Sequence, residues 1–286
     1  MADQYGVLTR SISEALRGKP EDLLTPHEAV LRSFSFFIRV TPEEHAQVRR
    51  ILERTVERAP DQADCWSMLA MMCNVEYADE FNALPQPLDR ALAAAQRAVT
   101  LAPTHALGHQ ALALVHFFRK DFVPFRAAAE RAVALNPMDG SVLGLLGIVI
   151  DHAGEEDRGR EMVEKAMRLN PNHPGVFRFV AFNRAYRQGR YEEALEVVVR
   201  INLPGFFHYH NSLAAVHGQL GHQEAAQKAV QDLLALRPNF AAEARRDFLK
   251  WWNPEVTEHV IDGLRKAGLE IPKEQPPVVA QNEGEM

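Results

Sequence analysis

The sequence predicts an all-α protein, a right-handed superhelix (α-solenoid) of about six helix pairs with helical caps, and three observations carry that prediction. The chain repeats itself: Arg97-Ala98-Val99-Thr100-Leu101-Ala102-Pro103 returns as Arg131-Ala132-Val133-Ala134-Leu135-Asn136-Pro137 and again as Lys165-Ala166-Met167-Arg168-Leu169-Asn170-Pro171. The terminal prolines lie 34 residues apart twice running, and Pro204 and Pro238 continue the series at 33 and 34. No segment shows the two-residue apolar alternation of a strand. A fixed period of this size marks stacked helix pairs, because a single pair cannot bury its own apolar face.

In chain order, residues 1–25 form a lead-in, a short amphipathic helix over 3–17 with Tyr5, Val7, Leu8, Ile12 and Leu16 apolar that stops at Gly18 and Pro20. The array proper spans 26–238. Thr25-Pro26 supplies an N-cap and a proline at the first helical position, and the apolar run 29–40 reads as one helix. Thr41-Pro42-Glu43-Glu44 opens its partner, which ends before Pro60. The second pair carries about nine extra residues around Glu76 to Gln86, an insertion expected to be exposed and to cover one end of a groove. Regular pairs follow at about 104–137, 138–171, 172–204 and 205–238. Capping helices occupy 239–272, with Asn253-Pro254 opening the last one and Gly268 closing it. Residues 273–286, with Pro276-Pro277 and few apolar anchors, are expected to be disordered.

The pairs resemble the tetratricopeptide repeat, whose 34-residue unit keeps small residues at motif positions 8, 20 and 27 and proline at 32. Position 8 falls on Ala113, Gly147, Ala181 and Ala214, where two helix backbones are expected to approach closely. Gly154, Gly189 and Gly221 occupy the turns between paired helices. Two departures stand out. Phe125 takes a small position while Ala129 takes a large one, a volume exchange that a core tolerates. The pair at 172–204 has a late turn and a second helix about two residues short, which predicts a local irregularity. The flanks, at Leu24 to Arg32 and Phe248 to Leu269, carry a narrower resemblance to the repeat region of bacterial class III adenylate/guanylate cyclase-like proteins. That resemblance implies a sensing or partner-binding role beside an output domain.

Composition narrows the function. A chain of 286 residues, 47% hydrophobic and 24% charged, can bury a core, and a net charge of −6 with both signs interspersed supplies no basic field for nucleic acid. No apolar run reaches the roughly 18 residues that span a bilayer, and the N-terminus lacks a secretory layout. Neither a nucleic-acid nor a membrane partner is expected. Cys65 and Cys73, about 12 Å apart along one helix, are too distant for a disulfide; reduced thiols and a cytoplasmic setting follow. No phosphate loop, nucleophile elbow, zincin or kinase signature occurs, so the chain is read as no enzyme, with no cofactor and no metal.

Histidine is the competing signal. His109 and His116 share one helix and His210 and His217 another, at motif positions that ordinarily hold packed aromatic residues, so packing is the simpler account than metal ligation. What the tetratricopeptide resemblance implies for binding is a concave groove lined by the first helix of each pair. The residues it puts there include Gln110, Phe117, Phe118, His152, Phe179, Asn183, Tyr186, Arg187 and Asn211. Asn183 and Asn211 suit the backbone of an extended peptide, and the aromatic residues suit its apolar side chains. Arg178, Arg184, Arg187 and Arg190 could also meet an acidic or phosphorylated segment. The expectation is a protein-interaction scaffold binding a peptide or partner protein in bacterial signalling. A histidine-based metal or small-molecule binding protein, extending to an enzyme, is the second reading. The apolar run 249–252 suggests weak homo-oligomerisation.

Overall fold

The computed structural model describes residues 7–272, all helices and connections with no strand among them. Tyr5 and the tail at 273–286 lie outside the described residues. The chain divides into two compact units, Met1–Phe206 and Phe207–Met286, a boundary that falls inside the array predicted over 26–238.

The first unit opens with α1 (Val7–Leu16), which packs against α2 (Pro26–Ser33). At the start of α2 the Thr25 hydroxyl accepts from the Glu28 N–H at 3.3 Å and the Glu28 carboxylate accepts from the Thr25 N–H at 2.8 Å, so two orphan donors are satisfied at once. The helix predicted over 29–40 does not run through. It breaks after Ser33 and resumes as the four-residue α3 (Phe36–Arg39). The break has a local cause: Arg32 is 1% exposed and reaches the Glu44 carboxylate at 2.5 Å, with the Ser35 hydroxyl wedged between them. A buried charge needs its partner, and the chain bends to deliver it. Thr41 then caps α4 (Pro42–Arg58).

Four helix pairs follow in this unit. The first is α5 (Ala63–Ala78) with α6 (Pro87–Leu101), the second α7 (Ala106–Phe118) with α8 (Phe122–Leu135). The third is α9 (Gly140–His152) with α10 (Glu156–Leu169), and the last α11 (Phe179–Arg187) with α12 (Tyr191–Val199). First helices of successive pairs also touch, α5 to α7 and α7 to α9, as stacking requires. The crossing of α9 and α10 depends on glycine. A Cβ on Gly147 would lie 2.8 Å from the Gly159 carbonyl oxygen, and one on Gly159 would lie 2.6 Å from that of Gly147.

Phe125 and Ala129 are both buried, with Phe117 packed 5.7 Å from the Phe125 ring, so the exchanged volumes occupy one core. Gly154 and Gly189 take positive φ in their turns, and Lys120 adopts φ +62 where the second of these pairs has no glycine.

The insertion is only partly exposed. Its residues 82–86 face solvent, whereas Glu76 is fully buried at the end of a lengthened α5. Arg49 reaches it at 2.8 Å, Arg90 closes on its other oxygen, and the Leu84 N–H donates to it at 3.2 Å. Three donors hold the carboxylate, so the insertion is anchored at its root.

Irregularity appears at 172–204, as the spacing predicts, and exceeds it. The first helix opens with a 3-10 turn at Gly175–Arg178, and α12 has nine residues where α8 and α10 have fourteen. Tighter winding in that turn shifts the face of the helix. Ala181 is therefore exposed and Phe182 and Ala185 are buried, so Ala181 is not the close-approach residue its motif position suggested.

The second unit holds α13 (Phe207–Leu220) with α14 (Gln223–Leu236), then α15 (Phe240–Trp251) and α16 (Pro254–Lys266). The Asn253 side chain caps α16 by accepting from the Val256 N–H at 3.0 Å, and Gly268 closes it at φ +94. α16 packs directly on α13, where a Cβ on Gly218 would lie 2.1 Å from the Gly263 carbonyl oxygen. The run 249–252 is not the apolar patch its sequence suggested. Trp252 stacks on Phe248 at 5.5 Å, Trp251 meets His208 edge-on at 6.1 Å, and buried Lys250 pairs with Asp247 at 3.0 Å, which leaves Leu249 facing out.

Candidate functional site

The residues predicted to line a groove are mostly enclosed by their own chain. Gln110 is 0% exposed and neither end of its amide has a hydrogen-bond partner; Asn74 on α5 is in the same condition. Phe117 and Phe118 are buried, their rings 5.1 Å apart, with Tyr77 of the preceding pair 5.5 Å from Phe118. These two aromatic residues seal adjacent repeats. Tyr186 is buried between Phe182 at 5.7 Å and Tyr191 at 5.3 Å. The His152 ring donates from Nδ1 to the Ile148 carbonyl at 2.7 Å. Asn211 lies in the second unit, buried, and donates to His208 Nδ1 at 3.1 Å. A partner cannot reach most of these side chains as they stand.

What remains is a stripe on α11. Phe179, Asn183 and Arg187 are spaced i, i+4, i+8 and so share one face of the helix. Phe179 is half-buried, with Phe206 at 6.3 Å. Asn183 is 5% exposed, and among the described residues its amide has no hydrogen-bond partner. Arg187 is 14% exposed; its Nη2 lies 3.2 Å from Asp151 and 3.4 Å from Glu156, while its buried Nε has no partner. Burial pushes the Asp151 carboxyl up to about 6, against the pull of Arg187. Arg184 and Arg190 are likewise paired, with Asp157 at 3.2 Å and with Glu193. Because these three guanidinium charges are already compensated, they do not form the free cationic patch that an acidic segment would seek; Arg178, the fourth arginine of the predicted cluster, is half-buried in the 3-10 turn.

Beyond Phe206 a cleft of about 500 Å³ opens in the first unit, lined by Arg17, Ile38, Thr41, Glu44, Leu203 and Phe206 among others. None of these six was singled out from the sequence as a binding residue. They come from segments some 160 residues apart, a juxtaposition that a 34-residue period does not encode. The one sequence cue was the irregular pair ending at Pro204, whose short second helix leaves residues 202–206 free to fold against Thr41 and Arg39.

The histidines that competed for a metal reading, and both cysteines, are engaged locally or buried. His109 bonds to the Pro103 carbonyl at 2.9 Å, His116 Nδ1 lies 3.5 Å from Asp121, and His217 lies 3.3 Å from His222. His210 is buried beside Tyr209 at 5.2 Å. Among the described residues no group of three or more histidine, cysteine or acidic side chains is placed to hold a metal ion. Cys65 and Cys73 are free, and burial pushes each thiol up to about 12, which suppresses thiolate chemistry. No helix among the described residues is long and apolar enough to cross a membrane.

A scan against protein-family models and a search of curated proteins both return no match. Solved structures do match. A human IFIT1 dimer with m7Gppp-AAAA is 15% identical at a TM-score of 0.61, over 90% of this chain and 63% of that one. A chain of the APC/C hetero-tetramer Cut9-Hcn1 is 15% identical at a TM-score of 0.58, over 90% of this chain and 46% of that one. This chain therefore spans less than two thirds of either neighbour. At such identities the likeness concerns the fold alone, and the fold is a tetratricopeptide-type α-solenoid.

Proposed function

We propose that the protein is a non-catalytic interaction scaffold whose first unit receives an extended segment of a partner protein along the Phe179, Asn183 and Arg187 face of α11. The observation that carries this reading is Asn183: a nearly buried side chain whose amide has no partner among the described residues, flanked by an aromatic ring and a neutralised guanidinium. Unlike the sealed amides of Asn74 and Gln110, that of Asn183 is still open to water, and a peptide unit supplies a complement to both its donor and its acceptor at a net gain of about 0.5–1.5 kcal/mol per hydrogen bond. With Arg187 compensated by Asp151 and Glu156, the face favours an uncharged apolar stretch over a carboxylate or phosphate. The ionisable groups beside this face are engaged locally, Arg187 by Asp151 and Glu156 and His152 by the Ile148 carbonyl, which supports binding over catalysis.

A cytoplasmic, bacterial signalling setting is part of this proposal and rests on the flank resemblance to cyclase-associated repeats. Nucleic acid is the second class to test, because the IFIT1 neighbour is described with a capped RNA; the net charge of −6 and the paired arginines argue against it here. The test is capture of a partner from lysate of the source organism by wild type, Asn183→Ala and Phe179→Ala chains. Loss of the same retained protein in both variants at unchanged helicity is expected. Undiminished capture, or retention of RNA instead, would overturn the reading. Charge reversal at Arg187 is a poor probe, since it would set a second carboxylate against buried Asp151.

A further inference from the structure

Three consecutive apolar side chains of α3 go to three different parts of the first unit. Phe36 is buried, edge-on to His45 at 5.7 Å and to Phe81 at 6.5 Å. Phe37 is half-buried and packs against a cluster formed by Leu143 of α9, Val163 of α10, Phe177 of the 3-10 turn and Val180 of α11, more than a hundred residues further along the chain. Ile148 of α9 packs on the same cluster. Ile38 lines the cleft together with Leu203 and Phe206.

The hold on this segment is incomplete. A four-residue helix has no stability of its own; α3 is held by its bond to the end of α2, Ser35 N–H to the Arg32 carbonyl at 3.2 Å, and by buried Phe36 and Val40, whereas Phe37 and Ile38 between them are only half-buried. Arg39 is exposed and tied to Glu14 at 2.8 Å. Val40 ends the helix at φ +42, a left-handed conformation that a β-branched residue adopts only under constraint. Strain of this kind persists where the surroundings impose it.

We propose that residues 36–39 are an internal stand-in for the partner: the face of the first unit covered by Phe37 and Ile38 takes from another protein an aromatic and aliphatic stretch followed by a cation, in competition with the chain's own Phe36-Phe37-Ile38-Arg39. The inference rests on reading the α11 face as the receiving side and adds what that side selects and what guards it. The chemistry of the occupant is read from the segment already seated: aromatic on the cluster, aliphatic in the cleft, and a cation near the carboxylate of Glu14. An acidic occupant would find Glu14 and the exposed Glu43 at that end, where the cation lining the cleft, Arg17, is already shared between Glu14 and Glu44 at 3.5 Å each, and is disfavoured. Because the face is open only while α3 is displaced, apparent affinity scales with the fraction of chains in that state.

The probe is a fluorescent peptide with the sequence of residues 33–41, measured against the whole chain by anisotropy, with a scrambled peptide as control. Loosening the segment with Phe37→Ala plus Ile38→Ala is expected to tighten probe binding on the order of tenfold or more relative to wild type. A second variant fixes the segment. The Gly205 Cβ direction points to within 3.5 Å of Thr41 Cγ2, so Thr41→Cys with Gly205→Cys brings two thiols within reach of a disulfide. The oxidised form should not bind the probe and the reduced form should, in one preparation. Equal affinity in wild type and the loosened chain, indifference to oxidation, or equal binding of the scrambled peptide would each overturn the proposal. So would a concentration-dependent dimer of the loosened chain that ignores the probe, which would assign the face to a second copy. The two readings separate: a probe that answers to loosening and oxidation but not to Asn183→Ala keeps the stand-in and removes Asn183 from the site. A lysate partner lost in Asn183→Ala, with no probe binding by any variant, does the reverse.

Discussion

Asp151 ends its carboxylate among side chains that leave it 1% exposed, and the Arg187 guanidinium at 3.2 Å only partly offsets the lost hydration. The folded group titrates near 6 and the unfolded one near 3.8. Between those values the folded chain keeps a proton that the unfolded chain has released. Stability therefore falls as pH rises through that window and is lowest above it. The full swing is on the order of 3 kcal/mol. Asp151→Asn is neutral throughout, so urea denaturation at pH 4, 5, 6 and 7 should show wild type losing about that much relative to the variant across the range. A difference that stays flat with pH would mean that Asp151 is ionised at pH 4. The same carboxylate explains why the arginine-rich face of α11 misleads at the level of sequence: the cations are visible in the letters, and their compensating partners on α9 and α10 are not.

At the scale of elements, the bend between α2 and α3 shows how one buried pair can override a strong helical pattern. Arg32 and Glu44 sit at 1% and 4% exposure and 2.5 Å apart. Glu44→Gln leaves the guanidinium buried without a counter-charge and should destabilise the first unit by about 3 kcal/mol, read from its urea midpoint. Hydrogen exchange at 34–41 should quicken in the same variant. Replacing both residues by methionine should recover most of the stability, since an apolar pair of similar volume avoids the desolvation penalty; a double variant no better than the single would show that the pair itself is favourable. The regular helices were readable because a 34-residue period, capping residues such as Thr25, Thr41 and Asn253, and turn glycines all agree. The helix predicted over 29–40 failed because Arg32, Ser35 and Glu44 act together across twelve residues, and no local propensity records that. The site was readable only in part. Motif position tells which side of its own helix Phe117 or Tyr186 faces, and says nothing of Tyr77 or Tyr191 arriving to cover it.

For the whole molecule, the division at Phe206 and Phe207 bears on how the chain unfolds. In a stacked array stability is close to a sum of repeat terms and nearest-neighbour terms, so damage in one place need not spread. Gly218 tests this in the second unit, because any Cβ there meets the Gly263 carbonyl oxygen at 2.1 Å and the Ala267 nitrogen at 2.8 Å, both backbone atoms that cannot turn aside. Gly218→Ala must separate α13 from α16, at about 1–3 kcal/mol or more. Native-state hydrogen exchange should then show amides of α13 to α16 opening faster by the corresponding factor, while those of α9 and α10, whose own crossing at Gly147 and Gly159 is untouched, keep their protection. Acceleration shared equally by α9, α10 and α13 would instead mean that the two compact units open together, and the sum-of-repeats description would not apply to this chain.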